Sequence, residues 1–253
     1  MSTVLDQIGV VRKSFALLLL VVLSSHNALG QTLRLNNTNE APLTTPTHDG
    51  FIDIIAGEAF HRAGVTLQLI KLPAERGLLN ANAGIEDGDL TRIAGLEKIY
   101  PNLIRVPEKL IDWEFVAYAK SPQISADWQD IRQHVVGHIT GWKIYEHKLK
   151  NALHVVTAAE PEQLFQLLAR NRIEVALYAR WMGQAYVRQL GLKGIHQIEP
   201  TLASREMFIY LNKQHAKLVP KIARALRAIK QEGLYAQIQH EKLMPFTKKV
   251  INE

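Results

Sequence analysis

Glu86-Asp87-Gly88-Asp89, with Thr91 and Arg92 just after, gathers three carboxylates and a guanidinium within seven residues. Such a stretch supports three chemistries: a calcium loop, an acid–base pair, or a polar turn that faces a ligand. Calcium asks for more acidic oxygens than Glu86, Asp87 and Asp89 supply. Catalytic patterns such as Gly-x-Ser-x-Gly, His-Glu-x-x-His and the phosphate loop are absent, and the ten histidines show no tight ligand spacing. The residues therefore read as binding chemistry, with no catalytic residue, metal or cofactor expected. Arg92 is expected in a cleft beside Thr91; a surface ion pair with Asp87 or Asp89 is the alternative.

Other residues could line the same cleft. Asn37 and Glu40 follow the first strand, where loops either reach a ligand or simply make a turn. Arg76, in "LPAERG", either points to the cleft or forms a solvent ion pair. Gly141, Trp142 and Lys143 sit at a turn that opens a helix. Tyr178 and Arg180 end a strand, and an aromatic beside an arginine gives a ligand a stacking wall. Trp142 and Trp113 have the same choice between core packing and ligand stacking.

The elements that must position these residues alternate between strands and helices, the pattern of an α/β protein. "TLRLN" (32–36) and "VTLQLIKL" (65–72) read as strands. Between them, Phe51, Ile52, Ile55, Ala56, Ala59, Phe60 and Ala63 form one helical stripe that Gly64 stops. Pro73 suits the first turn of a short helix carrying Arg76 and Leu79. "LIRV" and "EFVAYA" (114–119) are further strands. After Ser121-Pro122 a second series begins with "HVVGH" (134–138), a helix over Trp142–Lys150 and the strand "HVVT". It continues with a helix over Pro161–Asn171, "VALY" (175–178) and a helix over Trp181–Leu190. "REMFIYLN" (205–212) then leads to a long helix whose outer side carries Lys217, Lys221, Arg224, Arg227 and Lys230.

Two such series predict two lobes with a cleft between them, and ligand sites in these sheets lie beyond the strand C-termini. Arg12 and Lys13 precede an apolar run from Phe15 to Leu23, and "SSHNALG" follows. That order is the n-, h- and c-region of a secretory signal peptide, with cleavage expected near Gly30. The run is too short to span a membrane. With no cysteine in the chain, neither disulfides nor a lipid anchor at the cleavage site are expected. The expected compartment is the periplasm. Losing Arg12, Lys13 and Asp6 takes the net charge from +6 to +5. That balance favours anionic partners, while export argues against nucleic acid.

Five stretches, in this order and spacing, carry a resemblance: "DGFIDIIAGEAFHRAG" (49–64), "GIEDGDLTRIAGLEK" (84–98), "VVGHITGW" (135–142), "IEVALYAR" (173–180) and "REMFIYLNKQHAKLVPKIARALRAIKQEGLY" (205–235). Over Thr32 to Ile238 the chain resembles the bacterial extracellular solute-binding proteins of family 3, the periplasmic amino-acid-binding type. The resemblance implies a two-lobed type II periplasmic binding protein-like α/β fold with a hinge of two crossing strands, Phe115–Ala119 and Glu206–Tyr210. Lobe 1 would take residues 31–117 and 207–253, and lobe 2 residues 118–206.

It also implies where amino-acid anchors should stand. The carboxylate-clamping arginine position falls on Leu96, and the ammonium-holding aspartate position falls on Ala179. Of a Gly-Thr-Thr turn only Gly141 is kept. The expectation is therefore a small polar or anionic solute, held with help from Arg92, Lys143 and Arg180. A monomer would deliver it to an ABC permease or a membrane sensor. A dehydratase-like enzyme on the same fold and a sensory accessory protein are the alternatives. Arg92→Ala is expected to abolish ligand stabilisation with little effect on the unliganded fold.

Overall fold

The computed structural model describes residues 31–247, so the signal peptide expected over residues 1–30 lies outside the described residues. Thr32–Asn36 (β1) alternates as its sequence dictates, with Leu33 and Leu35 fully buried. Phe51–Arg62 (α1) starts where Asp53 reaches back: its Oδ2 accepts from the N–H of Gly50 at 3.0 Å and of Thr45 at 2.8 Å. In the loop before it, the Asp49 carboxylate accepts from the Thr45 and Thr47 hydroxyls at 2.6 and 2.8 Å.

Those hydroxyls hold the exposed Asp49 carboxyl down to about 2, from an ordinary 3.8. A depressed carboxyl contributes above the unfolded value and loses that contribution as pH falls through the folded one. Carbon-detected NMR should therefore place the Asp49 titration midpoint near pH 2, and a midpoint at the ordinary value would show the loop bonds do not persist in solution.

Thr66–Ile70 (β2), Ala74–Ala83 (α2), Gly88–Ile93 (β3), Leu103–Arg105 (β4) and Ile111–Ala119 (β5) complete the first half. The second half runs Trp128–Ile131 (α3), Val135–Ile139 (β6), Lys143–Lys148 (α4), His154–Ala158 (β7), Pro161–Ala169 (α5), Val175–Ala179 (β8) and Arg180–Gln189 (α6). His196–Asn212 (β9) returns, and Val219–Gln231 (α7), Leu234–Lys242 (α8) and Met244–Thr247 (α9) close the chain. Among the described residues no helix is long and apolar enough to cross a membrane.

One hydrogen-bonded path orders the strands β2-β1-β3-β9-β5-β8-β6-β7, with β4 beside β9. The outer pairs β1–β2 and β6–β7 are parallel, as crossover helices require, while β5 and β9 run antiparallel through the middle. This is the two-lobed type II periplasmic binding protein-like fold. Its crossing strands are longer than the sequence led us to expect. β9 starts at His196 instead of Arg205, and it pairs with β5 from Ile111↔Met207 to Ala119↔His196 with one irregularity between Phe115 and Ala117.

The buried stripe of α1 packs on α7, whose Ile222, Ala223, Leu226 and Ile229 are fully buried. Lys230 and Arg227, expected on the outer basic face, both reach Glu108. The glycine of the Asp-Gly-Asp stretch has a packing reason. A Cβ on Gly88 would lie 2.1 Å from the backbone oxygen of Tyr210, so only glycine lets β3 approach β9.

Candidate functional site

Asp87 and Asp89 do not converge. The Asp87 carboxylate accepts from the Arg34 N–H at 2.8 Å and meets His215 at 2.5 Å. Glu86, in turn, lies 3.6 Å from the Arg34 guanidinium. Asp89 is 1% exposed, and its Oδ2 accepts from Asn36 Nδ2 at 3.1 Å and Arg92 Nη2 at 2.8 Å. Neither a metal loop nor an acid pair can form from carboxylates that face different partners.

Why Asp89 and Arg92 meet is a matter of strand register. Residues three apart in a regular strand face opposite sides. Here Asp89 pairs with Tyr210 and Arg92 with Phe208, so Leu90 and Thr91 together oppose Ile209 alone. This β-bulge turns Arg92 to the side that Asp89 occupies. The helix α2 covers that side, and Arg92 Nη2 also donates to the Ala74 carbonyl at 3.0 Å. Burial raises the Asp89 carboxyl pKa, against the lowering effect of Arg92 and Asn36.

Arg92 and Thr91 line a cleft of about 390 Å³. One wall takes Thr38, Asn39 and Glu40 from the loop after β1, Ala74 from the start of α2, and Thr91 and Arg92 from β3. The other takes Ile139 and Trp142 after β6, Ala159, Glu160 and Pro161 after β7, Tyr178 in β8 and Met182 in α6. Trp113 and Phe115 in β5 and Met207 in β9 form the floor at the hinge. Most of these positions lie at or just beyond strand C-termini, where α/β sheets leave a crevice.

The two walls differ in chemistry. On the first, Asn39 Nδ2 donates to the Thr91 hydroxyl at 3.0 Å, and Thr44 donates to the Asn39 carbonyl at 2.8 Å. On the second, Trp142 stacks on Tyr178 at 4.9 Å and 20°, on Tyr145 at 5.7 Å, and meets Phe115 edge-on at 6.1 Å. Burial, then the negative charges of Glu40 and Glu160, pushes the Tyr178 phenol well above its ordinary value. Tyr186 of α6 donates to Glu40 Oε2 at 2.8 Å, a contact that links α6 to the loop after β1.

The sequence candidates thus divide. Glu40, Thr91, Arg92, Trp142 and Tyr178 come together in the cleft. Asn37 shapes it from behind: its Nδ2 donates to Thr44 and its Oδ1 accepts from Asn39 at 2.6 Å. Gly141 takes a left-handed φ of 85° and donates its N–H to Glu146, and Lys143 is the first residue of α4. Arg76 is exposed on α2 and does not line the cleft.

Arg180 is outside it as well. Its guanidinium is held by Glu114, by Glu199 at 3.0 Å and by the Thr201 hydroxyl at 2.8 Å. In this structure it is an ion-pair residue outside the cleft lining. Sequence reasoning missed Asn39 and Glu160. The signal for Glu160 was present: it precedes Pro161, a first-turn proline that marks a helix start just beyond a strand.

No protein-family model matches the chain. An uncharacterized protein of Shewanella oneidensis is 24% identical over 213 residues, covering 79% of this chain and 78% of its own length. Among solved structures, the chain is similar to the GluR0 ligand-binding core in complex with L-glutamate, with a TM-score of 0.74 at 10% identity, over 85% of this chain and 100% of that one. A histidine kinase sensor domain with similarity to periplasmic binding proteins superposes with a TM-score of 0.68 at 16% identity, over 84% and 96%. An ancestral arginine-binding protein bound to arginine gives 0.67 at 19%, over 83% and 97%. These likenesses establish the fold.

Proposed function

We propose that this chain captures a small polar solute between its two lobes and presents it to a membrane transporter or sensor. One observation carries the reading: the cleft has a hydrogen-bonding wall from one lobe and an aromatic wall from the other. Neither lobe completes the site alone, so contacts made only on closure would favour the closed state. In this reading residues 31–117 and 207–253 form the first lobe and residues 118–206 the second. Glu40, Thr91, Arg92, Trp142 and Tyr178 contact the solute.

The names of the superposing proteins, which bind glutamate and arginine or serve as a sensor, support a binding role. Binding without turnover is also supported by Glu40, the acidic residue of the polar wall. Both its oxygens are engaged, by Tyr186 and, at 3.6 Å, by Lys71. The pattern of residues 12–30 supports export to the periplasm, where the chain would act as a monomer.

A thermal-shift screen of metabolite pools tests this. A solute at a hundredfold its dissociation constant should add about 2.7 kcal/mol of stability, several degrees of melting temperature. If no pool raises the melting temperature, solute binding is refuted; turnover of a stabilising compound would instead make the chain an enzyme.

A further inference from the structure

We infer that the solute is an organic cation, an amine or guanidine recognised without help from a carboxylate of its own; this rests on the cleft being the binding site. Charge placement carries the inference. Among the described side chains lining the cleft, three are charged: Glu40, Glu160 and Arg92. Arg92 is already matched. Its Nη2 is shared between the Asp89 carboxylate and the Ala74 carbonyl.

Two described cations of neighbouring segments are already engaged. Arg180 belongs to Glu114, Glu199 and Thr201, and the exposed Lys71 to one oxygen of Glu40. A solute carboxylate would therefore meet Glu40 and Glu160 with no uncommitted cation among these groups. Glu160, by contrast, is exposed at the cleft and its side chain takes no part in capping α5.

The aromatic wall fits the same ligand. The stacked Trp142 and Tyr178 rings, with Phe115 edge-on to Trp142, stand on the side of the cleft that also carries Glu160. A cation beside an aromatic wall and a carboxylate gains from both the ring quadrupoles and the Coulomb attraction, and both strengthen as water leaves on closure. A compound of the opposite charge loses on both.

Isothermal titration of the full chain with matched probes tests the inference. One series is 2-phenylethylamine, L-phenylalanine and 3-phenylpropanoate; a second is agmatine against L-arginine. Each amine differs from its amino acid only by the carboxylate. At least one amine should bind about tenfold or more tightly than its amino acid, and 3-phenylpropanoate should not bind. Glu160→Gln should weaken that amine about tenfold, and Trp142→Leu should weaken it comparably. An amino acid or the propanoate binding as tightly as its amine overturns the inference, as does an amine indifferent to Glu160→Gln. If no probe in either series binds, the cation inference falls. The metabolite pools then separate the two readings: a stabilising pool keeps solute binding with another ligand class, and silence removes both.

Discussion

Asp89→Ala should destabilise the fold by about 3 kcal/mol or more, read as a lower midpoint of chemical unfolding. The reason is the company it keeps. Asp89 is almost fully buried and the Arg92 side chain is 13% exposed, so removing the carboxylate strands a guanidinium with little water to replace its partner. Asn36 also loses the acceptor for its amide, in a position that is itself fully buried. Replacing both members, as in Asp89→Ala with Arg92→Leu, should recover much of the loss, since no unpaired charge remains. An Asp89→Ala protein as stable as the parent would mean that the pair is open in solution.

The same pair changes what Arg92→Ala would report. From sequence that substitution was expected to leave the unliganded fold almost untouched. The structure makes it the mirror image of the first variant, leaving Asp89 buried with only Asn36 and the Thr91 N–H to oppose the desolvation that raises its pKa. A carboxyl whose folded pKa stands above its unfolded value contributes stability below the unfolded value and loses it as pH rises through the folded one. Arg92→Ala should therefore be hurt more at about pH 8 than at about pH 4 relative to the parent. Glu160, exposed at the rim, is the better residue for a ligand test.

Gly88→Ala is the second large effect. Its methyl group would sit 2.1 Å from the Tyr210 carbonyl oxygen and 3.2 Å from the Leu211 Cα, both backbone atoms of the partner strand. A flexible side chain could step aside, but these atoms belong to the ladder that joins β3 to β9. Restoring van der Waals distance means spreading two central strands, at a cost of about 3 kcal/mol or roughly 6–12 °C of melting temperature. Calorimetry checks this. An unchanged transition would show that β3 is free to move away from β9.

Most of the architecture could be read from periodicity. Alternating "TLRLN", the one-sided stripe of α1 and the proline that opens α5 each fix a local element without outside help. The lost ground came from interactions between distant segments. The first half of β9, "HQIEPTLAS", has no clean alternation and contains Pro200, so only its pairing with β5 makes it a strand. The ion pairs of Arg180 were not legible in the sequence because Glu114 and Glu199, which engage it, lie on other elements. Asp89 and Arg92, read on ordinary strand alternation, point apart; the extra residue in the bulge brings them together, and a bulge leaves no reliable mark in the sequence.

Ala119 and His196 are direct partners on the β5–β9 ladder. Residues 120–195 therefore leave and rejoin the chain path at a single rung, while β8 within them also pairs with β5 from Phe115↔Ala179 to Ala119↔Val175. Trp142, Glu160 and Tyr178 travel inside that segment, while Asn39, Thr91 and Arg92 stay outside it. Exchanging that segment would renew one wall of the cleft and keep the other, provided the new segment still pairs with β5.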